Sequence, residues 1–539
     1  MVATTEAKHH TTACTEHNHG DAIIHLITPS TKIMANNSSN RQFLMDQWWS
    51  GVRLWYNEQD FLSAMEVWDH AIESVEDVEW DDDNEEEMLP AKDQAPLTGN
   101  ASLATPLLLF LAGCYLDAGN TQKARKLCRR CLTTEQFRQA LCVGSTTFAA
   151  PESNKTTSTQ YDFAHCALSE YAATYQEDDT ITDPCQLAHQ IATWAIQEFQ
   201  QTSSSLPQNN QVTPYLWRDP RQRPGYLYPS ISSQPVYPRE EHPDWCRTLE
   251  HHYPTIRQEY QHLMRNSPQQ TPQHWPRVGA GDHRDGAGQH DGAVVNGGGD
   301  WREWILFGSG ASDAAGSRAP RTCQLLQQLA PQAVDLAHQG AGEIILSVLA
   351  PHTHIAPHCA STNLRLTAHL GLQVPTSTKN SNKNDDNKDN NNNNDDDCCY
   401  IQVAGQKLNW QEGKMIVFDD SYEHEVHNHT DEIRAVLLMR FWHPNLPKHD
   451  RSRALQHVLN AKETDRLRRC NPPLPPILKY GSSTSATTSN GIGILRHPQG
   501  MNQQLCPTCG RSGFETIRLV RPEDHGFVCI CGREAPLLV

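Results

Sequence analysis

Hydrophobic and polar positions along this chain change period near its middle. From Arg41 onward, Trp48, Gly51, Trp55, Ala64, Trp68 and Ala71 recur at the spacing of paired helices. Leu111, Ala112, Tyr115, Gly119, Ala124, Cys128 and Cys131 repeat that spacing downstream. Small residues at fixed offsets let two antiparallel helices approach closely, and large ones fill the gap beside them. Further helices are predicted at 163–175, 185–199 and 242–264. Beyond residue 300 the period becomes two, and 343–349, 364–374, 400–403, 415–418 and 433–442 read as short strands. In 364–374 the alternation sets Arg365, Thr367, His369 and Gly371 on one face. Leu366, Ala368, Leu370 and Leu372 take the other. One face is therefore packing. The other is a polar wall that costs free energy unless something is bound or hydrogen-bonded there.

Between the periodic segments lie polar ones. Residues 203–211 read as a linker, 279–299 hold eight glycines, 379–397 form an Asn/Asp run, and 482–504 read as a second linker. A length of 539 residues leaves room for about two to four domains. The net charge is −18, of which the tracts 73–87 and 378–397 carry −13. That balance argues against a globally basic nucleic-acid binder and against a polybasic membrane binder. No apolar stretch reaches the ~20 residues of a membrane-spanning helix. The first residues lack the apolar core of a secretory signal, and 17 cysteines do not form a secreted disulfide pattern. The expectation is a cytoplasmic or nuclear protein.

The first region resembles the tetratricopeptide repeat, whose unit is 34 residues. An ordinary helical bundle is the plainer alternative. Either way it reads as an interaction scaffold. Two segments downstream stand out: Pro357-His-Cys-Ala-Ser-Thr-Asn-Leu-Arg-Leu-Thr-Ala-His-Leu-Gly-Leu372 and Phe418-Asp-Asp-Ser-Tyr-Glu-His-Glu-Val426. Each places a histidine at a loop–strand junction. Imidazole suits iron, zinc, copper and nickel alike, so histidine alone does not choose the metal.

With an arginine ten residues after His424, Trp442-His-Pro444 and Pro320-Arg-Thr322 upstream, these segments resemble the aspartyl/asparaginyl β-hydroxylases. The resemblance covers about 214–457 and is strongest over 301–446. It implies a double-stranded β-helix of jelly-roll type and an Fe(II)- and 2-oxoglutarate-dependent oxygenase using O2. It further implies His358 and His424 as iron ligands, with Ala360 where other non-haem iron sites carry a carboxylate. By the same resemblance, Arg434 pairs with the distal carboxylate of 2-oxoglutarate, Ser347 assists it, and His369 lies near the other carboxylate. Two positions depart from the family: Thr367 stands where an arginine is usual, and Leu349 where a methionine is often seen. Loss of that cation weakens cosubstrate binding unless Arg365 or another base compensates.

Cys506, Cys509, Cys529 and Cys531 can supply four thiolates to a structural zinc and resemble a zinc ribbon, with His525 as a substitute ligand. Cys128, Cys131, Cys398 and Cys399 read as unpaired thiols. His352, His354, His427 and His429 read as surface or supporting histidines. Asp419 and Asp420 read as loop-holding residues that bond backbone groups. The fold class expected is multidomain α + β. Residues 1–40 are expected to be disordered, and 41–200 helical and tetratricopeptide-like. The catalytic domain spans 212–462 with a disordered insert at 377–397, followed by a linker at 463–503 and a zinc-ribbon-like module at 504–535. The function expected is hydroxylation of an Asp, Asn or similar residue in a peptide or protein presented by the helical region. Two alternatives are a lipid or small-molecule hydroxylase and a non-catalytic adaptor. No membrane span is expected, and nucleic acid is not the main partner.

Overall fold

The computed structural model describes residues 37–75, 89–90, 96–142, 155–176, 183–204, 217–228, 231–265, 275, 295–296, 299–308, 318–375, 398–470 and 472–473, with short strands between 493 and 536. Its first part is helical: α1 (Asn37–Arg53), α2 (Phe61–Val75), α3 (Gly99–Leu103), α4 (Thr105–Asp117), α5 (Thr121–Leu132), α6 (Glu135–Cys142), α7 (Lys155–Gln176) and α8 (Pro184–Ser204). Helix α1 begins at Asn37, so the expected disordered segment 1–40 is corrected at its end; 1–36 lie outside the described residues.

The periodic residues build one core, in which Trp48, Trp68, Phe110, Leu127, Cys128, Tyr171 and Trp194 are buried. Gly51 shows why small residues matter there. A Cβ on it would fall 2.1 Å from Trp68 Nε1, so its absence admits the indole, which donates to Trp48 O at 3.0 Å. Between α4 and α5, Gly119 takes a positive φ of 77° and the Asn120 side chain accepts from Lys123 N, so the turn and cap are built locally. Among the described residues no helix is long and apolar enough to cross a membrane.

The strand-rich part starts with β1 (Val236–Tyr237), α9 (Asp244–His251) and α10 (Tyr253–Arg265). The single helix expected over 242–264 is thus two. Pro254 lacks the N–H needed to continue α9 but fits the first turn of α10. There follow β2 (Val295–Asn296), β3 (Trp301–Phe307), α11 (Pro320–Leu329), α12 (Pro331–His338), β4 (Ile344–Leu349), β5 (Thr353–His358) and β6 (Arg365–Gln373). Then come β7 (Cys399–Val403), β8 (Gln406–Asn409), β9 (Met415–Phe418), β10 (His424–Asn428), β11 (Arg434–Trp442) and α13 (Arg451–Cys470). Helix α13 runs into the linker expected at 463–503, while the insert at 377–397 lies outside the described residues.

Two antiparallel sheets result. One has strand order β1-β9-β6-β11-β4-β3, the other β2-β5-β10-β7-β8. Period-two alternation divides the first sheet between two cores. Leu346, Leu366, Leu370, Leu437 and Phe441 face outward against Leu249, Ile256 and Leu326 of the helices. Ile345, Leu349, Phe418, Val436 and Leu438 face inward and pack with Ile355, Ile401, Val403 and Val426 of the second sheet. Gly371 has its own reason to be glycine: a Cβ there would lie 2.4 Å from the carbonyl oxygen of Gln411.

The helical region is tied to the sheets. Glu170 on α7 is buried and accepts from Arg468 and Arg469 of α13 at 3.2 and 3.0 Å.

Candidate active site

β5 and β10 are antiparallel neighbours, and their register sets His358 directly opposite His424. The two imidazole centroids are 4.2 Å apart. His358 Nδ1 lies 2.8 Å from the Ala356 carbonyl oxygen and His424 Nδ1 lies 2.9 Å from that of Tyr422. A carbonyl only accepts, so each Nδ1 carries the proton, and Nε2 is the lone-pair nitrogen of the neutral ring. Among the described residues no third His, Cys, Asp or Glu closes a three-ligand group with this pair.

The facing sheet supplies Ser347 from β4, His369 from β6 and Arg434 from β11, all three buried. Trp301 Nε1 donates to Ser347 Oγ at 2.8 Å. Trp410 Nε1 donates to His369 Nδ1 at 3.3 Å, and the Arg434 guanidinium sits 4.7 Å from the Trp410 ring centroid. Phe418 links the two sheets, its ring 5.1 Å from that of His369 and 5.8 Å from that of His424.

The electrostatics of this cluster favour an anion. Burial first, and then the charge of Arg434, push His369 well below the usual histidine range, so its ring is neutral. With Nδ1 accepting from Trp410, the proton is on Nε2, which is buried and makes no hydrogen bond. Burial draws Arg434 down to about 10, which leaves it a cation at neutral pH. Among the described residues no carboxylate pairs with it, and its Nε has no hydrogen-bond partner. A buried charge without a counter-charge costs several kcal/mol. The cluster therefore presents a cation and a neutral N–H donor that an acidic ligand would satisfy.

Asp419 and Asp420 differ from one another. Asp419 holds the loop as expected, accepting from Ser421 N at 2.8 Å, and burial pushes its carboxyl up to about 7. Asp420 is a correction. Its carboxylate accepts from Thr367 Oγ1 at 2.9 Å and from Arg440 Nε at 3.2 Å, with Arg365 Nε at 3.7 Å. It is thus the centre of a buried charge cluster. Arg440, which the sequence reading missed, lies opposite Thr367 in the β11–β6 register, so the missing family arginine is flanked by two others. The alternation of β11 carried that signal, because Arg434 and Arg440 share the face of Val436 and Leu438.

Glu423, beside His424, joins the helical region to the sheets. It accepts from Cys185 Sγ at 2.6 Å, pairs with His189 Nε2 at 3.1 Å, and contacts Arg223 Nη2. Burial works to raise its carboxyl, but His189, Arg223 and Cys185 outweigh that and bring it down to about 2. Glu423→Gln leaves the buried Arg223 uncompensated. It is expected to cost about 1–3 kcal/mol in denaturant unfolding. Unchanged stability would remove Glu423 as a tie between the two parts.

Cys506, Cys509, Cys531 and the side chain of Cys529 lie outside the described residues. Cys128, Cys131 and Cys399 are free thiols.

The segment that builds this cluster, residues 250–444, matches the family model of aspartyl/asparaginyl beta-hydroxylase. Residues 250–444 are thus similar to the aspartyl/asparaginyl β-hydroxylases. The human aspartyl/asparaginyl beta-hydroxylase is 33% identical over 154 residues, 28% of this chain and 17% of that protein. The ornithine lipid ester-linked acyl 2-hydroxylase of Rhizobium tropici is 29% identical over 219 residues, 40% of this chain and 63% of that protein. Human aspartate beta-hydroxylase domain-containing protein 2 is 26% identical over 231 residues, 42% of this chain and 52% of that protein. The chain thus spans less than two thirds of each of these relatives. A prolyl-4-hydroxylase of Pseudomonas putida superposes with a TM-score of 0.21 and 13% identity, over 35% of this chain and 86% of that one, a likeness too loose to carry weight. The β-hydroxylase match opens in α9 and closes just after β11, so Ser347, His358, His369, His424 and Arg434 all fall inside it.

Proposed function

We propose that this chain is an Fe(II)- and 2-oxoglutarate-dependent dioxygenase that hydroxylates an Asp, Asn or similar residue of a peptide or protein. The observation that carries the reading is the His358–His424 pair facing a buried guanidinium, Arg434, that has no carboxylate partner among the described residues. The two facing antiparallel sheets favour the double-stranded β-helix that this chemistry uses.

His358 and His424 would hold iron through Nε2, their rings fixed by the Ala356 and Tyr422 carbonyls. Two imidazoles and no protein carboxylate leave most positions around the ion to cosubstrate and solvent. Iron(II), when bound, supplies the activation of O2, with 2-oxoglutarate oxidised to succinate and carbon dioxide and one oxygen atom placed on a C–H bond. Arg434 would take the distal carboxylate of 2-oxoglutarate, with the guanidinium over the Trp410 ring and Ser347 assisting. His369, kept neutral by burial, offers its Nε2–H to the other carboxylate without adding charge. Ile355, Val426 and Val436 keep the surrounding space dry, which strengthens each of these contacts.

The tetratricopeptide-like region, anchored at Glu423 one residue from His424, would present the polypeptide substrate. A second reading keeps the chemistry and makes the substrate a lipid. The likeness to the Rhizobium tropici acyl 2-hydroxylase favours it. The adaptor reading is disfavoured by the buried, unneutralised Arg434, a costly group for a retired pocket to keep. Cell extract incubated with the protein, iron, ascorbate and 2-oxoglutarate is expected to yield peptides heavier by one oxygen atom at Asp or Asn. Oxygen gain confined to the lipid fraction would decide for the second reading, and none in either fraction would count against both.

A further inference from the structure

The strand pair that carries His358 and His424 carries a second histidine pair on its other face. His354 on β5 lies opposite His427 on β10. His354 and His358 are four residues apart, while His424 and His427 are three apart. Regular strands could not oppose both pairs. The register shift between His424 and Val426 absorbs the extra residue. It turns one pair toward the space between the sheets and the other outward.

The outward pair converges on a carboxylate. His354 Nε2 is 3.0 Å and His427 Nε2 is 2.9 Å from the same oxygen, Glu425 Oε2. All three ligand atoms lie within 4.8 Å of one another. Ligand atoms that share one transition-metal ion at ~2.1 Å sit about 3 Å apart. Neighbouring side chains fix these donors. Gln402 Nε2 donates to Glu425 Oε1 at 2.8 Å, and the Tyr400 ring stacks on His427 at 4.7 Å. Such support around a ligand set is what orients it for an ion. The side chains remain 14–31% exposed, so an ion can reach them.

From this arrangement we infer that His354, Glu425 and His427 form a second divalent-metal site, on the outer face of the five-stranded sheet. Two imidazoles and one carboxylate select a borderline ion such as Zn2+ over Mg2+ or Ca2+, and they leave a coordination position for water. An ion there ties β5 to β10, and so braces the two strands that present His358 and His424. The sequence reading took His354 and His427 as surface or supporting residues; their cross-strand register gives them a ligating role.

Cobalt(II) is the probe, because its visible spectrum separates nitrogen and oxygen ligation from any thiolate ligation by Cys506, Cys509, Cys529 and Cys531. Full-length protein stripped of metal should take up a nitrogen/oxygen-ligated equivalent that persists in His358→Ala/His424→Ala. That equivalent should be lost in His354→Ala/His427→Ala. Glu425→Gln keeps the side chain's shape and should bind it at least about tenfold more weakly, which decides the matter should the double variant fail to fold. Occupancy should also raise the melting temperature of the wild type. Equal nitrogen/oxygen-ligated cobalt in wild type and Glu425→Gln, or none remaining in His358→Ala/His424→Ala, would overturn the assignment.

Discussion

Alanine at His424, or at His358, is expected to bring iron-dependent turnover of 2-oxoglutarate below about one per cent of wild type. Even residues that only support a metal's ligands are worth about 10–100-fold, and these two are the ligands proposed. Among the described residues no third group stands ready to replace either ring. The loss should be specific. His358 is half-buried and His424 buried, and each Nδ1 bonds a carbonyl two residues away in its own strand or turn, so the melting curve must accompany the activity. Succinate release, measured with iron content and a melting curve, separates loss of metal from loss of fold. Full turnover by His358→Ala would show the ligand assignment to be wrong.

Arg434→Ala is the second large effect. The guanidinium is buried against Trp410, with no carboxylate pairing it among the described residues, so the cosubstrate carboxylate would be its counter-charge. Truncating one partner of a buried charged pair costs about 2–5 kcal/mol, which is roughly 30- to several-thousand-fold in affinity. The 2-oxoglutarate requirement should rise by that factor while iron binding at His358 and His424 is kept. Stability should move the other way or hold steady, because the substitution removes an uncompensated buried charge from the ligand-free protein. An unchanged requirement would take Arg434 out of cosubstrate binding.

Strands with at least one continuous buried apolar face were legible from their period of two. β4, β6, β7, β9 and β11 fall within a residue or so of where the pattern put them. β5 and β10 were not legible as strands, because their sequences THIAPH and HEVHN alternate apolar residues with His, Glu and Pro. Those polar positions are the outer histidine patch and the inner pair. The residues that hide the strands are the ones with chemistry. Asp420 was read as a local loop-holder because its partners Thr367, Arg365 and Arg440 come from strands 20 residues or more away in sequence. Such pairings follow from sheet order, which no local pattern contains. The meeting of Cys185 and His189 with Glu423 was hidden for the same reason.

The central claim is that the space between the two sheets holds 2-oxoglutarate against Arg434 beside a metal on His358 and His424. Calorimetric titration of 2-oxoglutarate into iron-loaded, oxygen-free wild-type protein tests it most directly. One equivalent should bind, with affinity lowered sharply in Arg434→Ala. No detectable binding to the iron-loaded wild type would contradict the account and leave the chain as a non-catalytic adaptor.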